Sequence, residues 1–306
     1  MDKFSENAEN ITAREMLNLV QEVESSLQSE TKKKKQGDIA TEGGLVRIPP
    51  SGSLVVVGDV HGDFESLLQI LVDGHILEGI EKGRMRILFL GDYGDRGTKS
   101  PEVYVAVLRL RMMFADSVIL LRGNHEGPKD LQAIPHDLPT QLRNRFGNRG
   151  KGIYEELQRL WEALHHAAII DGEYLFLHGG IPSLVESIDD IVQANLTHPK
   201  ASHLEEMLWN DPSEDMEGTA PSPRGAGKLF GEDVTSRILK LLGVKTLIRA
   251  HEACSDGVSV SHKGMILTIF SRKGVPYGNT HAAYLNLDVT RPALSAYDLS
   301  RDAILF

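Results

Sequence analysis

The sequence predicts a mixed α/β (α+β) fold in which a sheet-on-sheet core, a central β-sandwich, is flanked by helices. Two patterns carry that expectation. From residue 54 onward, short aliphatic or β-branched runs alternate with helical patterns, which is how a layered α/β domain reads. Toward the C-terminus the alternation stops, and apolar runs follow one another without a helical spacer, as in an antiparallel meander.

In chain order, residues 12–29 open with Thr12 and Glu15 in capping-box spacing and place Ile11, Met16, Leu19, Val20 and Val23 at helical intervals. The KKKK run at 32–35 and the GDIATEGG that follows read as a solvated linker. Residues 1–45 are thus expected to form an N-terminal helix and charged linker, and 46–306 the catalytic domain. Strands are expected at 54–57, 86–90, 118–121, 174–177 and 246–249. Helices are expected at 64–73, at 101–114 with Pro101 just inside the start, at 151–166 and at 231–242. Runs at 265–270, 282–288 and 294–300 supply the meander.

Composition narrows the function. Lys and Arg number 33 against 43 Asp and Glu, a net charge of -10, which argues against a broad basic surface for nucleic acid. No run approaches roughly 20 apolar residues and the first residues are polar, so neither a membrane span nor a signal peptide is expected, and the location is expected to be cytoplasmic. Cys254 is the single cysteine. It excludes an internal disulfide and a thiolate cluster, leaving any metal to His, Asp, Glu or Asn.

Five of the expected strands end near such residues. GDVHGD brings Asp59 and His61, GDYGDRG brings Asp92, Asp95 and Arg96, and RGNHE brings Asn124 and His125; HGG and AHE bring His178 and His251. Singly, each reads as a turn or cap residue. As an ordered set they point elsewhere, because turns do not require imidazoles and the C-terminal ends of strands converge on one crevice. Asp59, His61, Asp92, Asn124, His178 and His251 offer oxygen and imidazole nitrogen without sulfur, a donor set for two divalent ions: Mn first, with Fe and Zn also suited. Asp92, in the middle of the order, is the natural bridge. Two ions roughly 3.5–4 Å apart would lower the pKa of water toward about 7. Offset by two carboxylates and a hydroxide, they leave about +1 to face a phosphate. Arg96, Arg122 and Arg224 lie beside these loops and offer guanidinium forks for phosphate, although Arg122 fits better as a brace for its own loop. His125, oriented by Asp95, is the candidate proton donor to a leaving alkoxide. Trp209 and Asp211 in LWNDP read either as a groove rim or as core, and His165 and His166 as residues of the helical pattern.

GDVHGD, GDYGDRG, LLRGNHE, LHGG, LWNDP, PRGAGKLFG, RAHE and FS…YG occur in this order from about residue 45 to 290, and in that order the chain resembles the phosphoprotein phosphatases, metal-dependent serine/threonine phosphatases of the calcineurin-like metallophosphoesterase superfamily. The resemblance implies that superfamily's sandwich fold, one metal on Asp59, His61 and Asp92, and a second on Asp92, Asn124, His178 and His251. It implies His125 with Asp95 as proton donor pair, phosphate held by Arg96, Arg224 and Asn124, and Tyr277 as the aromatic overhanging the site. The substrates implied are phosphorylated proteins, with no nucleic-acid or membrane partner and with a regulatory partner left open. The chain departs from the pattern at Gly94, at Asp63 and Gly127, which point to an archaeal or bacterial branch, and in FSRKGVPYGN, which replaces the usual FSAPNYCG. A symmetrical dinucleoside tetraphosphatase, sharing the GD-H-G, GD and GNH scaffold, or another small-molecule phosphoesterase is the alternative enzyme. A nuclease fits less well because no second imidazole follows His251. A pseudoenzyme fits less well because every ligand is present.

Overall fold

The computed structural model describes residues 2–73 and 75–306. Two sheets lie face to face. One has eight strands in the order Lys35–Gln36, Ile39–Glu42, Leu45–Arg47, Ala167–Ile170, Tyr174–Leu177, Thr246–Arg249, Ile266–Ile269 and Val258–Ser261. The other has five, in the order Ile304–Leu305, Ala283–Asp288, Ser53–Val57, Met85–Phe89 and Val118–Leu120. Asp211–Pro212, Thr219–Pro221 and Lys228–Phe230 form a small third sheet.

The period-two alternation of a strand sorts its side chains between two cores. In the five-stranded sheet, Leu54, Val56, Leu88 and Ile119 enter the sandwich interior, while Val55, Val57, Ile87, Phe89 and Val118 join a cluster with the helices. Register keeps these layers aligned, since Val56 pairs with Leu88 and Leu88 with Ile119. The eight-stranded sheet behaves alike. Ala168, Phe176, Ile248 and Leu267 pair in turn across four strands and fill the same interior. Ile169, Leu175, Leu247 and Ile266 instead join a cluster with residues of helices His203–Trp209 and Glu232–Leu242. The result is helices, sheet, sheet, helices, in agreement with the expected sandwich.

Helix Ala13–Lys33 begins with the expected box: Glu15 N donates to Thr12 Oγ1 at 3.3 Å and Thr12 N donates to Glu15 Oε2 at 2.8 Å. Its Met16, Leu19, Val20, Val23 and Leu27 are buried in the cluster shared with helices Ser100–Met113 and Gly150–Ala163, each worth roughly 1.5–3 kcal/mol of burial. Glu30 is buried as well, paired with Arg111 of helix Ser100–Met113, and its backbone carbonyl accepts from Thr41 Oγ1 at 3.1 Å.

Four expectations are corrected. The lysine run is not a solvated linker: Lys32 and Lys33 finish the helix, Lys34 caps it at φ 56, and Lys35 opens a hairpin that forms the outer edge of the eight-stranded sheet. Strands of two to four residues give too little alternation to be read from sequence. There is no C-terminal meander, because Ile266–Ile269 lies in one sheet and Ala283–Asp288, antiparallel to Ser53–Val57, in the other. Residues 294–300 are not a strand. Ser295 caps helix Ala296–Asp302, its Oγ accepting from Asp298 N at 3.3 Å, and the cap starts a helix there. His165 and His166 lie past the end of Gly150–Ala163, in the segment entering strand Ala167–Ile170. No helix among the described residues is long and apolar enough to cross a membrane.

Removing one member of a buried ion pair leaves the other charge uncompensated. Glu30→Ala should therefore lower unfolding free energy in urea by about 3–5 kcal/mol, and adding Arg111→Leu should restore most of it. A loss below about 1 kcal/mol for Glu30→Ala would mean that this helix is not held by the pair.

Candidate metal centre

Five strand ends deliver the residues. Ser53–Val57, Met85–Phe89 and Val118–Leu120 are parallel neighbours in one sheet, and Tyr174–Leu177 and Thr246–Arg249 are parallel neighbours in the other. The loops that follow hold Asp59, His61, Asp92, Asn124, His178 and His251, all buried. A parallel bridge between Asp59 and Phe270 joins the two sheets at this end. Convergence strains the backbone. Positive φ occurs at His61, Asp92, Asp95, Arg96 and His251, a region that costs a non-glycine residue on the order of 1–3 kcal/mol. Two glycines supply room: a Cβ on Gly91, itself at φ +107, would lie 2.3 Å from Gly123 N, and one on Gly123 would lie 2.1 Å from Asp92 Oδ1.

The chemistry follows from where the protons are. His61 Nδ1 faces the Gly94 carbonyl at 2.9 Å and His178 Nδ1 faces the Leu90 carbonyl at 3.0 Å. Carbonyls only accept, so both Nδ1 atoms carry hydrogen and both Nε2 atoms are bare lone pairs. His61 Nε2 faces Asp92 Oδ2 at 3.3 Å and Asp59 Oδ2 at 3.5 Å. His178 Nε2 faces Asn124 Oδ1 at 3.0 Å, His251 Nδ1 at 3.2 Å and Asp92 Oδ1 at 3.5 Å. Asn124 Oδ1 thus looks only at acceptors. Turning the amide would bring its nitrogen to four acceptors, the two oxygens of Asp92 and one nitrogen each of His178 and His251, but an amide has only two N–H groups. Lone pairs would still be left facing one another in the interior, a costly arrangement unless a cation lies among them. The donor set fits divalent ions, and Asp92, with one oxygen toward His61 and the other toward His178, fits the bridging position.

Electrostatics agree. Burial pushes His178 down to about 3 and His251 well below the usual imidazole range, so both imidazoles stay neutral. Asp59 lies below the usual carboxylate range against the pull of burial, its Oδ1 accepting from the His251 backbone N–H at 3.0 Å. Burial and the neighbouring Asp59 and Glu126 charges push Asp92 well above the carboxylate range, so its ionised form is costly unless a cation lies beside it. Glu126 is not marked by the sequence reading, although it ends the RGNHE motif. It accepts from Asp92 N at 2.8 Å, Tyr93 N at 3.0 Å, Gly123 N at 3.2 Å and Tyr104 Oη at 2.8 Å, locking the bridging loop to the Asn124 loop. Arg122 is the expected brace, its Nε donating to the Glu126 carbonyl at 2.6 Å and its Nη2 to Glu162 at 2.7 Å.

Beside this centre, His125 Nδ1 donates to Asp95 Oδ2 at 2.6 Å. Asp95 is held well below the carboxylate range, burial being outweighed by hydrogen bonds from His125 and from His136, another residue that no sequence motif marks. The backbone N–H groups of Asp137 and Leu138, at the start of helix Leu138–Phe146, donate to Asp95 Oδ1 at 2.9 and 2.7 Å. Burial lowers His125 to about 4 against the pull of Asp95.

A cleft of about 650 Å³ opens over these groups and includes Arg96, Ile134, Trp209, Arg224 and Tyr277 in its lining. Arg96 is anchored through Nη2 to the Ile134 carbonyl at 3.1 Å, and its buried Nε has no partner among the described residues. Asp211 ties Arg224 Nε at 2.5 Å and Arg249 Nη2 at 2.9 Å, so it aims one arginine and anchors another. Tyr277 does reach the site. It stacks on His61 at 5.8 Å and packs edge-on against Phe270 at 4.9 Å, while Arg272 lies over its ring and donates to the His61 carbonyl at 3.2 Å. Asp63 has a role in the same loop: it caps the next helix by accepting from Ser66 N at 3.1 Å and accepts from Lys273 N at 3.3 Å. At Gly94, a Cβ would lie 3.0 Å from the Tyr104 ring.

The sequence profile of calcineurin-like phosphoesterases matches residues 52–255. A probable serine/threonine-protein phosphatase of Encephalitozoon cuniculi is 33% identical over 247 residues, covering 80% of this chain and 52% of the relative. The serine/threonine-protein phosphatase T of Schizosaccharomyces pombe is 34% identical over 234 residues, covering 74% of this chain and 47% of the relative. These two relatives are eukaryotic and lend no support to the archaeal or bacterial branch suggested by Asp63 and Gly127. The chain spans about half the length of both, 52% and 47%. Among solved structures, a serine/threonine phosphatase from Saccharomyces cerevisiae with similarity to human phosphatase PP5 superposes with a TM-score of 0.75 over 100% of this chain and 95% of that one. At 22% identity this is a likeness of fold. Sequence profile, relatives and sandwich agree, and the chain belongs to the calcineurin-like phosphoesterase family.

Proposed function

We propose that this chain is a metal-dependent protein serine/threonine phosphatase that hydrolyses phosphate monoesters. The observation that carries the reading is the convergence of unprotonated nitrogen and oxygen lone pairs on Asp92, in a cleft that also presents two arginines and an imidazole. Asp59, His61 and Asp92 would hold one divalent ion, and Asp92, Asn124, His178 and His251 the other, with Mn2+ our first choice and Fe or Zn equally suited to the donors. When bound, such ions lower the pKa of water toward about 7 and neutralise phosphate charge.

The chain's own residues do the rest. Arg96 and Arg224 flank the centre and receive the phosphate oxygens, their guanidinium planes already fixed by Ile134 and Asp211. His125, with its Nδ1 hydrogen committed to Asp95, presents Nε2 to the leaving oxygen. Burial disfavours its charged form, and an arriving phosphate dianion favours it, so the proton is held when substrate is present. Tyr277 packs on His61 and Trp209 edge-on against His251, at 5.8 and 5.9 Å. Leu131, Ala133 and Ile134 widen the cleft beyond a phosphate, which supports a peptide carrying phosphoserine or phosphothreonine. The names of the sequence relatives support the same substrate class. A cytoplasmic setting accords with a lone Cys254 whose thiol burial pushes up to about 12.

His125→Ala should slow hydrolysis of alkyl phosphates by about 10²- to 10⁴-fold while sparing aryl phosphates, whose leaving groups need little protonation. Steady-state kinetics on both esters checks this, and equal losses would remove His125 from the acid role. The substrate class is tested by assaying Mn2+-loaded protein on phosphoserine, phosphothreonine and phosphotyrosine peptides and on diadenosine tetraphosphate, before and after a chelator. Chelator-sensitive hydrolysis of the phosphoserine and phosphothreonine peptides is expected. Turnover of the dinucleotide alone would favour a dinucleoside tetraphosphatase, and activity on none of them a pseudoenzyme.

A further inference from the structure

Asp95 Oδ2 receives two imidazoles. Besides His125 Nδ1 at 2.6 Å, it accepts from His136 Nδ1 at 2.7 Å. His136 comes from the loop ahead of helix Leu138–Phe146, and its side chain is only 8% exposed. Its other nitrogen lies 2.8 Å from Tyr154 Oη, which accepts from Gln158 Nε2 at 3.2 Å.

The direction of each hydrogen bond can be assigned. Asp95 Oδ1 already accepts from two backbone N–H groups, and a hydrogen on Oδ2 could serve only one of the two rings at 2.6 and 2.7 Å, leaving the other facing it without a proton. Both Nδ1 atoms therefore carry hydrogen. With hydrogen on Nδ1, a neutral His136 has its lone pair on Nε2, so Tyr154 donates to it and Gln158 donates to Tyr154. Every donor in the chain from Gln158 through Tyr154 and His136 to Asp95 finds one acceptor. Aromatic packing fixes the ring as well: His136 lies edge-on to Trp161 at 6.2 Å and tilted against Tyr154 at 5.5 Å.

We propose that His136 is a positioning residue for proton donation: it fixes the plane of the Asp95 carboxylate so that Oδ2 meets His125 Nδ1, with Tyr154 holding His136 in turn. This rests on the reading of His125 as the acid. Asp95 needs such a hold because its own backbone is left-handed at φ 65 and its Oδ1 bonds reach only the loop at 137–138. One nitrogen each of His125 and His136, with an oxygen of Asp95, also lie within reach of a single metal ion. The spacing rejects that use, since ligands about 2.0–2.1 Å from a tetrahedral ion sit roughly 3.3 Å apart, whereas these atoms are 2.6 and 2.7 Å apart.

The test compares kcat and KM of wild type, His136→Ala, His136→Asn, Tyr154→Phe and His125→Ala on alkyl and aryl phosphates, with metal content measured alongside. His136→Ala should lower kcat on the alkyl ester by roughly 10- to 100-fold with KM unchanged and leave the aryl ester within about threefold. His136→Asn, whose amide nitrogen stands where Nδ1 stood, should recover most of the loss, and Tyr154→Phe should show a smaller loss of the same kind. A mere loosening of the loop would instead raise KM on both esters, because Arg96 hangs on Ile134 and Asp137 of that loop. That result, a failure of His136→Asn to rescue, or loss of a bound ion in His136→Ala would overturn the proposal. If His125→Ala discriminates between esters and His136→Ala does not, the proposal fails and the acid reading stands; if His125→Ala does not discriminate, both fail.

Discussion

Lone pairs that face each other without a proton between them gather at one place, around Asp92 at the ends of five strands. The carbonyls of Gly94 and Leu90 each claim the Nδ1 hydrogen of a histidine, and in doing so leave His61 and His178 with bare nitrogens aimed at carboxylate and amide oxygens. Such a cluster is unfavourable by itself, so the surrounding structure must hold it in place. Glu126 does much of this by accepting four hydrogen bonds that clamp two loops together. Left-handed backbone at five site residues and close approach at Gly91 and Gly123 are further signs of a geometry imposed from outside the site.

The imposing body is the sandwich. Alternating side chains commit each strand on both faces, so a strand cannot slip without moving Val56, Leu88 or Ile119 out of register with their neighbours. The positions of Asp59, Asp92 and Asn124, each shortly beyond such a strand, follow from that packing. The candidate groups outside the proposed ligand set are held by contacts between loops. Asp95, Arg96 and His136 hang on the loop from 134 to 138, and Tyr277 on a turn held by Arg272 and Asp63.

The convergence of the six candidate ligands is legible in sequence because each follows a strand whose aliphatic run is unmistakable. His125 and Asp95 are legible for the same reason. What escapes is held by contacts distant in the chain: His136 meets Asp95 across 41 positions, and Arg272 meets His61 across 211. Nothing local marks either residue. The outer hairpin at 35–42 is hidden because its strands are too short to show a period, and the helix at 296–302 because it buries only Ala296 and Leu299, too few to show a helical period. Tyr277 lies in a rewritten loop, and its stacking on His61 emerges only from the fold.

The most direct test of the shared-bridge centre is metal stoichiometry of folded protein loaded with Mn2+ and freed of excess ion, for wild type, His61→Ala and Asp92→Ala, with circular dichroism confirming the fold of each. The account predicts two ions per chain in wild type, one in His61→Ala and none held tightly in Asp92→Ala. A wild-type protein that binds no ion, or an Asp92→Ala variant that keeps both, would contradict it.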